Sequence, residues 1–230
     1  MKKVLLSLTM LAIMSTPVLA KSPVANLKIN GDIKPPTCTI NGEENDIFID
    51  YGKISPSLIP ENSNYALGSR ENDMVISCDA ITYLTFTVSD TYTSNKAPAW
   101  HNGIFGLVNA ENPTQEVGGI LLFIKDMKVD NKPVYAGRVD SKESTWRTEI
   151  IVKDTLTGWT TEAQISTSKD NLKLAQGKIF SATLQTGKSD ADKPNYGYIL
   201  SRKALSEDKI DLTNGLDYIG EAVFTFNFGV

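Results

Sequence analysis

Apolar residues in this chain recur every second position, and that spacing sets the fold class. Ala222, Phe224, Phe226 and Phe228 alternate with Val223, Thr225 and Asn227. Leu84, Phe86 and Val88 alternate with Thr85 and Thr87; Met74, Ile76 and Cys78 alternate with Val75 and Ser77. Ile47, Ile49 and Tyr51 alternate with Phe48 and Asp50. Successive side chains of a strand point to opposite faces, so each run predicts a strand with one face for a core. Residues 120–124 are continuously apolar, which suits a strand buried on both faces. Further strands are expected at 134–139, 146–152, 178–184 and 196–200. Asn41-Gly42, Asn102-Gly103, Gly118-Gly119, Thr157-Gly158 and Asn214-Gly215 read as turns, as do Pro56, Pro60, Pro113 and Pro194. Helical patches are expected only near 171–175 and 203–207. Strand-and-turn spacing with so little helix predicts an all-β sandwich, one enlarged domain, with 90–102 as a polar surface loop.

The first twenty residues read as an export signal. Lys2 and Lys3 precede an apolar run over 4–14, Ser15-Thr16-Pro17 breaks it, and Val18-Leu19-Ala20 offers small residues for a cut. The run is too short for a membrane span of ~20 apolar residues. No later stretch is long and apolar enough for a spanning helix. A chain starting at Lys21 keeps 21 of the 23 basic residues against 27 acidic ones, a formal charge of −6 in place of −4. That balance argues against nucleic acid and against anionic membrane surfaces as partners, since phosphate neutralisation needs a basic face.

Cys38 and Cys78 are the only cysteines. In an exported chain two thiols read first as one disulfide, closing a loop of about 40 residues. The alternative is a metal or redox pair. A metal site needs more ligands than two thiols and the single His101 supply, and the spacing is not CxxC. Cys38 shares a strand face with Ile40, and Cys78 with Met74 and Ile76, so two core-facing cysteines on neighbouring strands can meet.

Several segments resemble the subunits of chaperone–usher fimbriae. Asn30-Gly31-Asp32-Ile33-Lys34-Pro35-Pro36-Thr37-Cys38-Thr39-Ile40 is similar to their start, with a glycine seven residues before the first Cys. Ile49-Asp50-Tyr51-Gly52-Lys53-Ile54 looks like their next strand, and the second Cys follows about forty residues after the first. Tyr51-Gly52-Lys53, Leu67-Gly68-Ser69-Arg70-Glu71-Asn72, Val75-Ile76-Ser77-Cys78 and Phe105-Gly106-Leu107 resemble a subgroup of fimbrial-like exported proteins of enterobacteria. The resemblance rests on the first third of the exported chain and on the last strand.

The resemblance implies an immunoglobulin-like β-sandwich that lacks its last strand, so an apolar groove stays open. It implies a signal peptide over 1–20, a donor extension over 21–34 and a pilin-like domain over 35–230. Ala25, Leu27 and Ile29 would be the donor side chains. Ala222, Phe224, Phe226 and Phe228 would line the groove edge, and the Val230 carboxylate would anchor a periplasmic chaperone. The implied partners are that chaperone, an outer-membrane usher, neighbouring subunits and a host glycan or protein receptor. The implied route runs through the periplasm to the cell surface. Gly229 stands where such subunits carry an aromatic residue, and the extension is short and contains Pro23. The same residues also fit ordinary core strands of a complete sandwich, which would make the chain a tip adhesin or a free-standing binding protein.

No catalytic constellation or cofactor motif emerges. His101 lies in a loop-like stretch with no partner pattern. Ser166-Thr167-Ser168-Lys169 has SxxK spacing without the helix start or KTG strand that chemistry needs. Gly187-Lys188-Ser189 echoes a phosphate loop, but position 182 is Ala and Asp190 and Asp192 follow. Glu43-Glu44-Asn45-Asp46 lacks the calcium-loop pattern and reads as a solvated turn. Trp100, Trp146 and Trp159 could stack on sugar, or fill a core. The chain is expected to be a non-enzymatic structural protein. Closing a 40-residue loop is worth about 4 kcal/mol in the chain-entropy account. Cys38→Ser is therefore expected to lower stability by a few kcal/mol and reduce periplasmic yield, read by denaturant unfolding and immunoblot; normal accumulation would show that the bridge is not structural.

Overall fold

The alternating runs around Met74 and Phe86 join into a single 21-residue strand that shapes everything else. The computed structural model describes residues 25, 27–42, 46–93, 103–140, 149–187 and 196–229. The chain divides into two compact units, Met1–Lys34 and Pro35–Val230. The second carries strands β1 (Cys38–Ile40), β2 (Tyr65–Ala66), β3 (Arg70–Asp90), β4 (Ile104–Asn109), β5 (Glu116–Val129), β6 (Lys132–Pro133) and β7 (Tyr135–Val139). These are followed by β8 (Thr157–Thr160), β9 (Gln164–Thr167), β10 (Gln176–Thr186), β11 (Gly197–Ile199), helix α1 (Arg202–Glu207), β12 (Tyr218–Ile219) and β13 (Ala222–Phe228). Short 3-10 turns sit at Pro56–Leu58 and Lys169–Asn171. No helix among the described residues is long and apolar enough to cross a membrane.

The long strand β3 changes neighbours along its length. Its first half lies between β1 and β10, with Ile40 and Phe180 both opposite Ile76. Its second half lies between β13 and β8, with Phe226 and Thr157 both opposite Phe86. β5 does the same: its first half pairs with β4 and β11, its second with β10. The β5–β6 hairpin turns through Asp130 and Asn131, both left-handed, as a two-residue primed turn requires. Asp130 Oδ1 also accepts from the backbone N–H groups of Ile179 and Lys178, which holds its carboxyl below the usual range and steadies the bulge in β10. Beyond β8 the sheet continues to β7 and then to β9, its parallel pair. The result is a mixed, mostly antiparallel β fold.

Burial follows the alternation. Met74, Ile76 and Cys78 are buried while Val75, Ser77 and Asp79 are exposed. Phe86, Trp159 and Phe180 form the centre of the core, with Trp159 edge-on to Phe86 at 5.4 Å and to Phe180 at 5.6 Å. The indole Nε1 donates to the Ser181 carbonyl at 3.2 Å, so the one polar atom of that ring is satisfied. Each such fully buried side chain contributes about 2–3 kcal/mol. Cys38 and Cys78 stand directly opposite each other in the β1–β3 register and are disulfide-bonded across a separation of 40 residues.

Several expected features differ. Gly118-Gly119 and Thr157-Gly158 are interior to β5 and β8, not turns. A Cβ on Gly118 would run into the Tyr198 carbonyl of the neighbouring strand, and one on Gly158 would lie 2.6 Å from Leu174 Cδ2. These glycines admit close approach rather than a change of direction. The helical patch near 171–175 is a 3-10 turn at Lys169–Asn171 followed by extended chain. Residues 47–51 are not a strand, although their side chains alternate as expected. Within 146–152, Ile150 makes one isolated bridge to Phe123, and 146–148 lie outside the described residues. So do the expected signal peptide, Pro23, Glu43-Glu44-Asn45, loop residues 94–102, Lys188-Ser189 and Val230.

Gly118→Ala is expected to cost about 3 kcal/mol, the upper part of the range for overpacking, because backbone atoms rather than a side-chain tip must move. Urea denaturation would read it; an unchanged midpoint would show that β11 can shift freely away from β5.

Candidate functional site

The last strand, β13, leaves one edge open. The Glu221 carbonyl accepts from Thr91 N–H at 3.1 Å, and Gly229 N–H donates to the Tyr83 carbonyl at 2.9 Å. Hydrogen-bonded pairs alternate along an antiparallel ladder, so Val223, Thr225 and Asn227 turn their backbone groups toward β3. Ala222, Phe224, Phe226 and Phe228 turn theirs the other way, where no strand pairs with them among the described residues. Their side chains lie on the core side. Phe224 and Phe226 pack 5.7 and 6.0 Å from Phe86, yet both are only half-buried, and Phe228 is 46% exposed. Edge strands are usually blunted by charge, proline or bulges. β13 reads Ala-Val-Phe-Thr-Phe-Asn-Phe and its register with β3 runs without a shift, so it has none of these.

Residues 46–54 form a second strip without a backbone partner among the described residues; its strand-like alternation runs to Tyr51 and stops at a turn, where Gly52 sits at φ +67° and its N–H donates to Asp50 Oδ1 at 2.7 Å. Ile47, Ile49, Tyr51 and Ile54 are half-buried, and Phe48 points out at 81% exposure. No backbone–backbone hydrogen bond of this strip occurs among the described residues. Side chains hold it instead. The Tyr51 hydroxyl pairs with Thr186 Oγ1 at 2.5 Å, Asn72 Nδ2 donates to the Phe48 carbonyl at 2.5 Å, and Arg70 lies 5.4 Å from the centre of the Tyr51 ring. Burial pushes the Tyr51 phenol up, against the pull of Thr186 and Arg70.

Tyr218 of β12 lies within electrostatic reach of the strip. Its hydroxyl is buried and has no hydrogen-bond partner among the described residues. Burial, followed by the fields of Tyr51, Asp50 and Tyr65, pushes its pKa up to about 12. The strip therefore runs close to β12, only two residues before β13 begins.

The expected donor residues lie in the unit Met1–Lys34. Ala25, Leu27 and Ile29 are outside any strand and exposed, Leu27 at 89% and Ile29 at 87%. Ile33 continues the same alternation, also fully exposed. Gly31 interrupts the apolar positions between Ile29 and Ile33.

Ser166 is an exposed residue of β9, and Lys169 sits in a 3-10 turn, so the pair lacks the helix start that SxxK chemistry needs. Trp159 is wholly buried in the core and offers no face to a ligand. Trp100, His101 and Trp146 lie outside the described residues. No cluster of three metal-ligating side chains occurs among the described residues. No protein-family model matches this chain, and no curated protein matches it.

A phenol with a raised pKa favours its neutral form in the folded state. Below pH 10 it adds no pH dependence; between 10 and about 12 the unfolded chain has lost the proton and the folded chain has not, so stability falls as pH rises. Tyr218→Phe is expected to flatten that loss and to leave stability at pH 7 unchanged or slightly higher, since it removes an unsatisfied buried hydroxyl. Denaturant midpoints from pH 7 to 12 would check it; a large loss at pH 7 would mean that the hydroxyl is bonded.

Proposed function

We propose that this protein is a fimbrial or fimbrial-like structural subunit, exported to the periplasm and assembled by strand exchange. On this reading its domain is an immunoglobulin-like sandwich short of one strand, and its role is in cell adhesion. The observation that carries the reading is the unblunted edge of β13, whose inward aromatic residues are only half-covered. The unpartnered strip 46–54 adds a second boundary of the same kind. A strand laid along β13 would take hydrogen bonds from Ala222, Phe224, Phe226 and Phe228, and alternate side chains would cover their rings. The exposed alternation Ala25, Leu27, Ile29 and Ile33 supplies a strand of that pattern from a second copy. A periplasmic chaperone would hold the edge until exchange, because an open apolar edge invites aggregation.

The test is expression in the periplasm with and without a fimbrial chaperone. Degradation or aggregation alone, and a one-to-one complex with chaperone, is the expected outcome. Ile29→Asp should leave that complex intact and abolish subunit polymers, because it damages only the donor. A stable monomer that ignores both chaperone and donor peptide would overturn the proposal in favour of a self-complete binding module.

A further inference from the structure

A second site stands apart from the open edge. Helix α1 ends in a pair of bonds, Ile210 N–H to the Leu205 carbonyl and Lys209 N–H to the Ser206 carbonyl, both 2.9 Å. That is the Schellman arrangement, which puts the residue after the C-cap in the left-handed region. Glycine, or sometimes asparagine, is the low-energy choice there. Here it is Lys209, at φ +61°. Every other left-handed non-glycine residue among those described is Asn or Asp. A lysine at this place is a local compromise, and such compromises gather at functional sites.

Lys209 lines an open pocket of about 640 Å³. Its lining residues include two cations, Lys209 and Arg202, and the hydroxyl-bearing Ser57, Ser206 and Thr213, of which Ser57 Oγ pairs with Ser55 Oγ at 2.8 Å; Pro56, Ile210 and Leu212 are its apolar members. The pocket's one carboxylate, Asp211, accepts at Oδ1 from Thr213 N–H at 2.8 Å and Thr213 Oγ1 at 2.6 Å, which lowers its pKa and keeps it anionic, against two cations on the same walls. Arg202 contacts Glu61 at 3.2 Å on the exposed surface and keeps further N–H donors. Cations suit a carboxylate, hydroxyls suit sugar hydroxyls, and the apolar surface suits the C–H face of a pyranose ring.

We infer that this pocket binds an acidic sugar, a pyranose bearing a carboxylate, with Lys209 as the residue that selects for the charge. The site is independent of β13 and does not rest on the assembly reading.

Calorimetric titration of the purified protein with methyl glucuronide, methyl glucoside and acetate tests it. The glucuronide should bind about tenfold more tightly than the glucoside or acetate and should weaken with added salt. Lys209→Gly and Lys209→Asn should each lose about that tenfold preference while raising Tm by about 2 °C, since both residues tolerate the left-handed region better. Gain of stability with loss of binding is the expected signature. Equal binding of the two glycosides, no binding of the glucuronide, or a lysine variant that binds as well as the parent would overturn the inference, as would a drop in Tm in both variants.

Discussion

A β-strand has two edges and must satisfy the backbone groups on each, and in this protein β3 carries that requirement for two sets of strands. Its first half is flanked by β1 and β10, its second by β8 and β13. The disulfide acts on the same strand, pinning the three-residue β1 where its few hydrogen bonds would not hold it alone. Trp159, wholly buried, packs edge-on against Phe86 of the second half of β3 and against Phe180 of β10, and so ties the two halves into one core.

The open edge follows from the same rule. β13 satisfies one side on β3, no strand among the described residues pairs with the other, and no charge or proline within the strand protects it. The strip 46–54 carries the side-chain pattern of a strand over 46–51 but has no backbone partner among the described residues, and side-chain bonds from Thr186 and Asn72 hold it instead. The Tyr218 hydroxyl, buried beside the strip with no hydrogen-bond partner among the described residues, marks a place where packing is less complete than in the rest of the core. Incomplete packing of this kind is costly for a free-standing domain and useful for one that completes itself on another chain.

The Lys209 pocket illustrates a different compromise. The end of α1 is otherwise well made: Ser201 Oγ accepts from Ala204 N–H at its start, and Leu205 and Ile210 are buried at its finish. One residue departs from the rule, and it faces the pocket.

The sequence by itself determined the strand-rich class and the inward face of each strand. Met74, Ile76, Phe86, Phe224 and Phe226 turn toward the core as their alternation requires, because side-chain direction in an extended chain is a local property of the backbone. The pairing of Cys38 with Cys78 was legible for the same reason, joined to the redox logic of exported chains. Tertiary structure alone decided the rest. Gly118 and Gly158 look like turn residues in sequence, and only the atoms of Tyr198 and Leu174 make them strand residues. Residues 47–51 carry a strand pattern, but a strand exists only where another backbone lies beside it. The open edge of β13, the orphaned Tyr218 hydroxyl and the Lys209 pocket were likewise hidden in the sequence, because each depends on which distant residues arrive next to it and which do not.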